Sequence, residues 1–186
     1  MSVRLVDLRE FGRVLATREK GRNAADLIQE ALEESDGIVL SFVGVEVASP
    51  SFLDEILIRL RGALSGENSR VVVVTGLNGD VSESLELVLN HRKMALAHLK
   101  KNRVELIGGS EQLAETLAAA NEFGGPFKAT ELAERLKVKL PNLHQRLKSL
   151  GETGIVARTV DSTAKKGRRF DYRTFDASKA KNLIPS

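Results

Sequence analysis

Four consecutive valines at residues 71–74 constrain the fold more than any other feature of this sequence. A strand that is apolar at every position is buried on both faces, which is typical of sheets covered by other elements. Around it, apolar runs of strand length alternate with stretches whose apolar residues have helical spacing. The order strand–strand–helix–strand–helix–strand–helix–strand over residues 1–108 predicts a small mixed sheet with helices packed on it.

The individual elements follow from the same patterns. Strands are predicted at residues 3–6, 14–16, 38–42, 71–74 and 104–107. The first helix is predicted to begin at an Asn23 cap, and the second at a Ser51 cap with Asp54 as the reaching carboxylate. A third, longer helix is predicted over residues 82–101, because its leucines and valines recur at helical spacing and its last turns are basic.

The sequence Gly108-Gly109-Ser110 marks the predicted domain boundary, which divides the chain into residues 1–108 and 109–186. Residues 1–110 carry 14 basic and 16 acidic side chains, whereas residues 111–186 carry 14 basic and 9 acidic ones. Such a distribution is expected if only the carboxyl-terminal part meets a polyanion. A solvated basic surface without such a partner is the alternative.

Composition excludes several classes of protein. The chain has no cysteine, so disulfides, thiolate zinc sites and thiol catalysis are excluded. No apolar run approaches the roughly 18 residues that a membrane span needs, and the charged first ten residues lack the apolar core of a signal peptide. We therefore expect a cytoplasmic protein with no membrane partner.

Residues 127–156 have the pattern of two helices joined by a tight turn. Apolar residues of the two helices face one another, and Val138 fills the turn; these residues are Leu132, Ala133 and Leu136 in the first helix and Leu143, Leu147 and Leu150 in the second. The second helix and its start expose side chains that donate to base edges and phosphates, namely Lys139, Asn142, His144, Gln145 and Lys148. A helix of this kind fits the DNA major groove, which is about 12 Å wide.

This stretch resembles the winged helix-turn-helix domain of bacterial transcription regulators, over about residues 111–176. The resemblance implies that residues 141–148, beginning with Pro141, lie in the major groove. It also implies that the basic residues of the hairpin tip hold phosphates or enter the minor groove; these are Lys165, Lys166, Arg168 and Arg169. Lys139 departs from the family, in which a small hydroxyl residue usually caps the recognition helix. A winged helix that docks protein is the alternative.

The first half looks like the STAS-like domains (sulphate transporter and anti-sigma antagonist-like) of bacterial regulators. The similarity lies in residues 17–21, 38–46 and 49–55, above all in the run Ser-Phe-x-Asp-Glu that starts at Ser51. In the anti-sigma antagonists a partner kinase phosphorylates the serine at this loop-to-helix junction, which would be Ser51 here. The usual acidic residue two positions earlier is replaced by Ser49. The alternative is that Ser51 and Asp54 only form a capping box.

Other candidate sites are weaker. His91 and His98 would share a face of the predicted 82–101 helix, but two histidines without a third ligand rarely bind metal. Gly76 and Gly79 follow a strand, but the loop lacks the lysine of a phosphate-binding loop, so we interpret it as a turn. No acid pair or serine–histidine–acid set is indicated. We expect no enzyme, no metal and no cofactor.

Together these patterns predict an α/β + α protein, with an amino-terminal STAS-like mixed sheet and a carboxyl-terminal winged helix-turn-helix. The predicted function is a transcriptional regulator that binds double-stranded DNA, while its STAS-like half senses a signal, dimerises or binds a partner. A homodimer is expected, because two-fold operators double the contacts. The alternative is a signalling module in which the first half antagonises a kinase-like ATPase partner and the winged helix docks protein or RNA.

Overall fold

The structure is a computed structural model that describes residues 2–64, 70–101, 103–160 and 170–180. Its helices are α1 (Arg18–Glu34), α2 (Pro50–Leu64), α3 (Gly79–Arg92), α4 (Glu111–Asn121), α5 (Ala129–Leu136) and α6 (Leu140–Glu152). Its strands are β1 (Val3–Asp7), β2 (Val14–Leu15), β3 (Gly37–Ser41), β4 (Val47–Ala48), β5 (Val71–Thr75), β6 (Ala95–Lys100), β7 (Arg103–Gly108), β8 (Phe127–Lys128), β9 (Val156–Val160) and β10 (Phe170–Thr174). The prediction of a mixed α/β chain is confirmed.

A five-stranded sheet in the order β1-β3-β5-β6-β7 organises the first half. The first four strands are parallel and β7 pairs with β6 in the antiparallel sense. Each new parallel strand is added on the same side of the previous one. Because crossovers between parallel strands are right-handed, this order places α1, α2 and α3 on one face of the sheet. Their apolar side chains form a core with Val72 and Val74.

The carboxyl-terminal helices cover the opposite face of the same sheet. Val71 and Val73 belong to a second core cluster together with Leu117, Leu147 and Leu150. All four valines of residues 71–74 are therefore buried, with at most 1% of any side chain exposed. The prediction of a strand buried on both faces is confirmed, and the two halves of the chain share one of the cores.

The second half has the order α4–β8–α5–α6–β9–β10, and its three strands form an antiparallel sheet in the order β8-β10-β9. Tyr172 of β10 lies opposite Phe127 on one side and Arg158 on the other. Phe127 stacks on Phe123 and Tyr172, with ring centroids 5.1 and 6.0 Å apart. The prediction of two helices joined by a tight turn within residues 127–156 is confirmed by α5 and α6.

Direct contacts join the two halves at the start of β5 and β3. Gly154 has a φ of 70°, and its carbonyl accepts a hydrogen bond of 2.6 Å from the Val72 amide. A Cβ at Gly154 would lie 2.7 Å from Leu64 Cδ1. Arg173 of β10 pairs with Asp36 at 3.5 Å. At residues 108–109 the chain thus passes from the large sheet to the second half without losing contact between the two. The division into two domains at this point stays a prediction.

The predicted helix over 82–101 is wrong in its second half. Helix α3 ends at Arg92, where Lys93 adopts a left-handed conformation (φ 53°) and its amide donates to Asn90 and Leu89. Residues 95–100 form β6 instead, between β5 and β7. Alanine and leucine favour helices locally, but pairing on both sides and burial decide the outcome here.

Two predicted helix caps are also wrong. Helix α1 begins at Arg18, and the Thr17 hydroxyl, rather than Asn23, accepts a backbone amide at 3.2 Å. Helix α2 begins at Pro50, and the Ser49 hydroxyl accepts the Phe52 amide at 3.2 Å. Asp54 does not reach back to a cap, because the Arg92 guanidinium donates to both of its oxygens at 2.7 and 2.8 Å.

Candidate nucleic-acid interface

A tight turn joins α5 to α6. Helix α5 ends at Leu136, and Lys137 takes a left-handed conformation with a φ of 54°. The Val138 amide then donates to the Ala133 carbonyl at 3.1 Å, and the half-buried Val138 side chain packs on the second core. Three residues separate the helices, so their apolar faces meet at close range, as the sequence predicts.

Helix α6 divides sharply into a buried stripe and an exposed face. Leu143, Leu147 and Leu150 are at most 2% exposed. The side chains that sequence analysis assigned to DNA are all exposed, namely Lys139, Pro141, Asn142, His144, Gln145 and Lys148. The leucines thus fix the helix, and amide, imidazole and ammonium groups are left to face solvent together.

The start of α6 adds a favourable charge environment for an anion. Lys139 precedes the helix and makes no side-chain capping bond, and proline stands in the first turn. The first backbone amides of a helix have no intrahelical acceptor, and they carry its positive partial charge. Lys148 lies 3.9 Å from Glu152 with both side chains well exposed, so this pair is weak and leaves the Lys148 ammonium accessible.

Arg146 of α6 turns the other way and anchors the helix. Its side chain is 17% exposed and contacts Glu115 of α4 at 3.4 Å. The same guanidinium nitrogen lies 3.2 Å from the Thr116 hydroxyl, which is itself fully buried. This contact fixes the rotation of α6 about its axis, and therefore which side chains face outward.

The β9–β10 hairpin follows α6 along the chain, and the structure describes its two strands. Arg158 of β9 stacks over the Phe170 ring at 4.8 Å, at the end of the strand pair that leads to the hairpin tip. The four basic residues predicted to contact phosphates lie outside the described residues; they are Lys165, Lys166, Arg168 and Arg169. Their role stays a prediction.

Ser51 and the two histidines lie elsewhere. Ser51 is half-buried in the first turn of α2, one residue after Pro50. His91 is exposed at the end of α3, whereas His98 lies on β6, so the two do not share a helix face. Burial lowers the pKa of His98. Within the described ranges, no group of three or more metal-ligating side chains occurs.

Sequence reasoning gave no role to Arg146 or Arg158. Arg146 precedes Leu147 and follows Leu143 by three positions, so it stands at the border of the buried stripe. That spacing is the signal that could have identified it as a partly buried anchor. The partner of Arg158 could not be found in this way, because it depends on the strand register.

No protein-family model and no curated protein sequence matches this chain. In the part of the chain that the structure describes, no helix has both the length and the apolarity needed to cross a membrane.

Proposed function

We propose that this protein is a transcriptional regulator that binds double-stranded DNA through α6 and the β9–β10 hairpin. The observation that carries the proposal is the exposed polar face of α6. Asn142 and Gln145 present side-chain amides, which pair with adenine edges in the major groove. The leucine stripe holds these groups outward on a rigid helix instead of a loop.

The order of elements in the second half supports the same function. A helix, a short strand, two helices and a hairpin that pairs with the short strand follow one another here, and this is the order expected of a winged helix. In that arrangement the second helix of the pair, here α6, enters the major groove, and the hairpin contacts the neighbouring backbone. Among the described residues, the exposed face of α6 has one ion pair, between Lys148 and Glu152 of the same helix.

For the amino-terminal half we propose a STAS-like domain that receives a signal or pairs two copies. Its support is the sequence similarity around residues 38–55 and the mixed sheet with three helices on one face. A homodimer would present two copies of α6 to a two-fold operator. Phosphorylation of Ser51 remains part of this proposal, and its partial burial predicts that a kinase needs to open the first turn of α2.

The proposal is tested by selecting duplexes from a fragmented genomic library with the full chain and measuring their affinity by fluorescence anisotropy. We expect affinity to fall steeply with salt, because lysine and arginine contacts release counterions from phosphates. Absence of affinity for any duplex at low salt would reject the proposal. Capture of an ATPase instead would favour the protein-interaction alternative.

Single variants separate base reading from phosphate binding. Asn142→Ala or Gln145→Ala is expected to relax specificity at one position and to weaken binding to the selected site by about 1–3 kcal/mol. Asn90→Ala is the matched control, because Asn90 is an exposed amide on α3. Replacing all four basic residues of the hairpin tip by alanine is expected to weaken binding evenly across sequences. A uniform loss from Asn142→Ala would show that α6 is not the reading helix.

A further inference from the structure

A polar cavity of about 350 Å³ lies where the amino-terminal half meets the carboxyl-terminal sheet. Every residue that lines it has a polar or charged side chain; these are Ser2, Glu33, Glu34, Ser35, Asp36, Arg70, Thr159 and Arg173. Its volume falls within the roughly 300–1,000 Å³ of small-molecule sites, but such sites are usually apolar. A ligand for this cavity is therefore small and highly polar.

Two arginines that line the cavity, Arg70 and Arg173, have guanidinium N–H donors without an acceptor among the described residues. Arg173 Nε is buried and has no hydrogen-bond partner among the described residues, and Arg173 Nη2 lies 3.5 Å from Asp36. Arg70 donates from Nε to the Ser35 carbonyl at 3.0 Å, and this is the only bond of its side chain among the described residues. A buried charged donor without an acceptor is destabilising, and such a group in a native protein calls for a partner. A carboxylate satisfies two guanidinium groups at once.

The other side of the cavity is negative. Helix α1 ends at Glu34, and the carboxyl end of a helix carries a negative partial charge. Glu34 pairs with Arg4, and Asp36 accepts from the Ser2 amide at 2.8 Å. Among the described residues, Glu33 has a single partner, the neutral Gln29 amide at 3.2 Å. A positively charged group is therefore favoured beside Glu33.

We propose that this cavity binds a polar α-amino acid as the zwitterion. Arg70 and Arg173 bind its carboxylate, and Glu33 with the carboxyl end of α1 binds its ammonium group. The hydroxyl of Thr159, which also lines the cavity, faces its side chain, whereas the Ser2 hydroxyl is held by Asp36. A simple anion fits less well, because three of the eight lining residues carry carboxylates and the negative end of α1 lies beside them.

The cavity also couples the two halves of the chain. Glu33 and Arg70 come from the elements around the large sheet, whereas Thr159 and Arg173 lie on β9 and β10. A ligand that contacts both would fix the hairpin relative to the sheet. This coupling rests on the proposed function, since it makes the amino acid an effector of DNA binding.

Binding is tested on the full chain by calorimetric titration with the common α-amino acids one at a time. Acetate, methylamine and inorganic phosphate serve as probes of a single charge. We expect a saturable heat with at least one polar α-amino acid, and binding of each single-charge probe that is about tenfold weaker or worse. No saturable heat with any α-amino acid would overturn the proposal. If acetate or phosphate bound as tightly as the amino acid, the proposal that the ligand is a zwitterion would be overturned.

Two variants and a control locate the site. Arg70→Ala and Glu33→Gln are each expected to lower the affinity for the amino acid about tenfold or more, because each removes a charge-assisted contact. Arg61→Ala is the control, since Arg61 is exposed on α2, away from the cavity. Far-ultraviolet circular dichroism establishes that the variants fold. Unchanged amino-acid affinity in both folded variants would place the ligand elsewhere and overturn the assignment.

The duplex assay then separates this inference from the proposed function. With the amino acid present, we expect the affinity for the selected duplex to change about fivefold or more, as is typical of coupled sites. Amino-acid binding without any duplex binding would leave the site in place and reject the regulator. Duplex binding without amino-acid binding would reject the site alone, and amino-acid binding that leaves duplex affinity unchanged would reject the coupling.

Discussion

Removing residues 109–186 is expected to prevent the first half from forming a stable monomer. The deletion strips one face of the sheet, because Val39, Val71, Val73 and Leu99 pack against the carboxyl-terminal helices. Each of these side chains is at most 4% exposed in the full chain. The perturbation therefore tests whether the shared core holds both halves in one folding unit.

The magnitude follows from the apolar surface that the deletion exposes. Burying one valine or leucine side chain stabilises a fold by about 1.5–3 kcal/mol, so four of them contribute about 6–12 kcal/mol. The whole stability of a typical domain is about 5–15 kcal/mol. Loss of this face thus removes most or all of the free energy that keeps the sheet folded.

The fragment and the full chain are compared by urea unfolding, followed by circular dichroism, and by binding of a hydrophobic dye. We expect the fragment to bind dye, to associate or to lack a cooperative transition. In the full chain, Val73→Thr is expected to lower the free energy of unfolding by about 1–3 kcal/mol, because the threonine hydroxyl would be buried in the core that the two halves share. Val160→Thr is the matched control, as Val160 is 39% exposed. A monomeric fragment that unfolds at the same urea concentration as the full chain would refute the shared core.

Two further predictions concern the helical layer. The Arg92 guanidinium lowers the pKa of Asp54 through two hydrogen bonds, so this pair stabilises the fold above the ordinary carboxyl pKa of 3.8 and is lost as the pH falls through the lowered value. Asp54→Asn is therefore expected to flatten the loss of stability between neutral and acid pH in urea unfolding; an unchanged pH profile would contradict this. A Cβ at Gly21 would lie 2.8 Å from the Phe52 carbonyl, so Gly21→Ala is expected to lower the free energy of unfolding by about 1–3 kcal/mol. Gly62→Ala has open space and is expected to raise it by about 0.5–1 kcal/mol, so equal effects of the two would contradict the close packing of α1 on α2.

Patterns that are repeated along the chain predicted the fold well. The leucine stripe of α6 has the period of a helix, and the short run of β-branched valines in β5 favours a strand buried on both faces; both elements form where expected. The sequence predicts a helix over residues 95–100 because alanine and leucine favour helices locally. Their state depends on β5 and β7, which lie on either side of them only after the chain has folded.

The helix caps and the contacts between the two halves of the chain were less predictable. Asn23 and Ser51 are good capping residues, yet Thr17 and Ser49 precede them and start the helices earlier. Nothing in the sequence indicates that Val72 bonds to Gly154, since these residues are far apart along the chain and meet only when the second half covers the sheet. The exposed residues of α6 were predictable, because the spacing of three leucines fixes which side of a helix is buried.

The central claim is that α6 reads DNA, and amide chemical shifts test it most directly. The labelled full chain is titrated with a selected duplex and its backbone amide resonances are followed. We predict the largest changes at Asn142, His144 and Gln145, with little change on the outer faces of α1 and α2. Largest changes on those outer faces, with the amides of α6 unaffected by saturating duplex, would contradict the account.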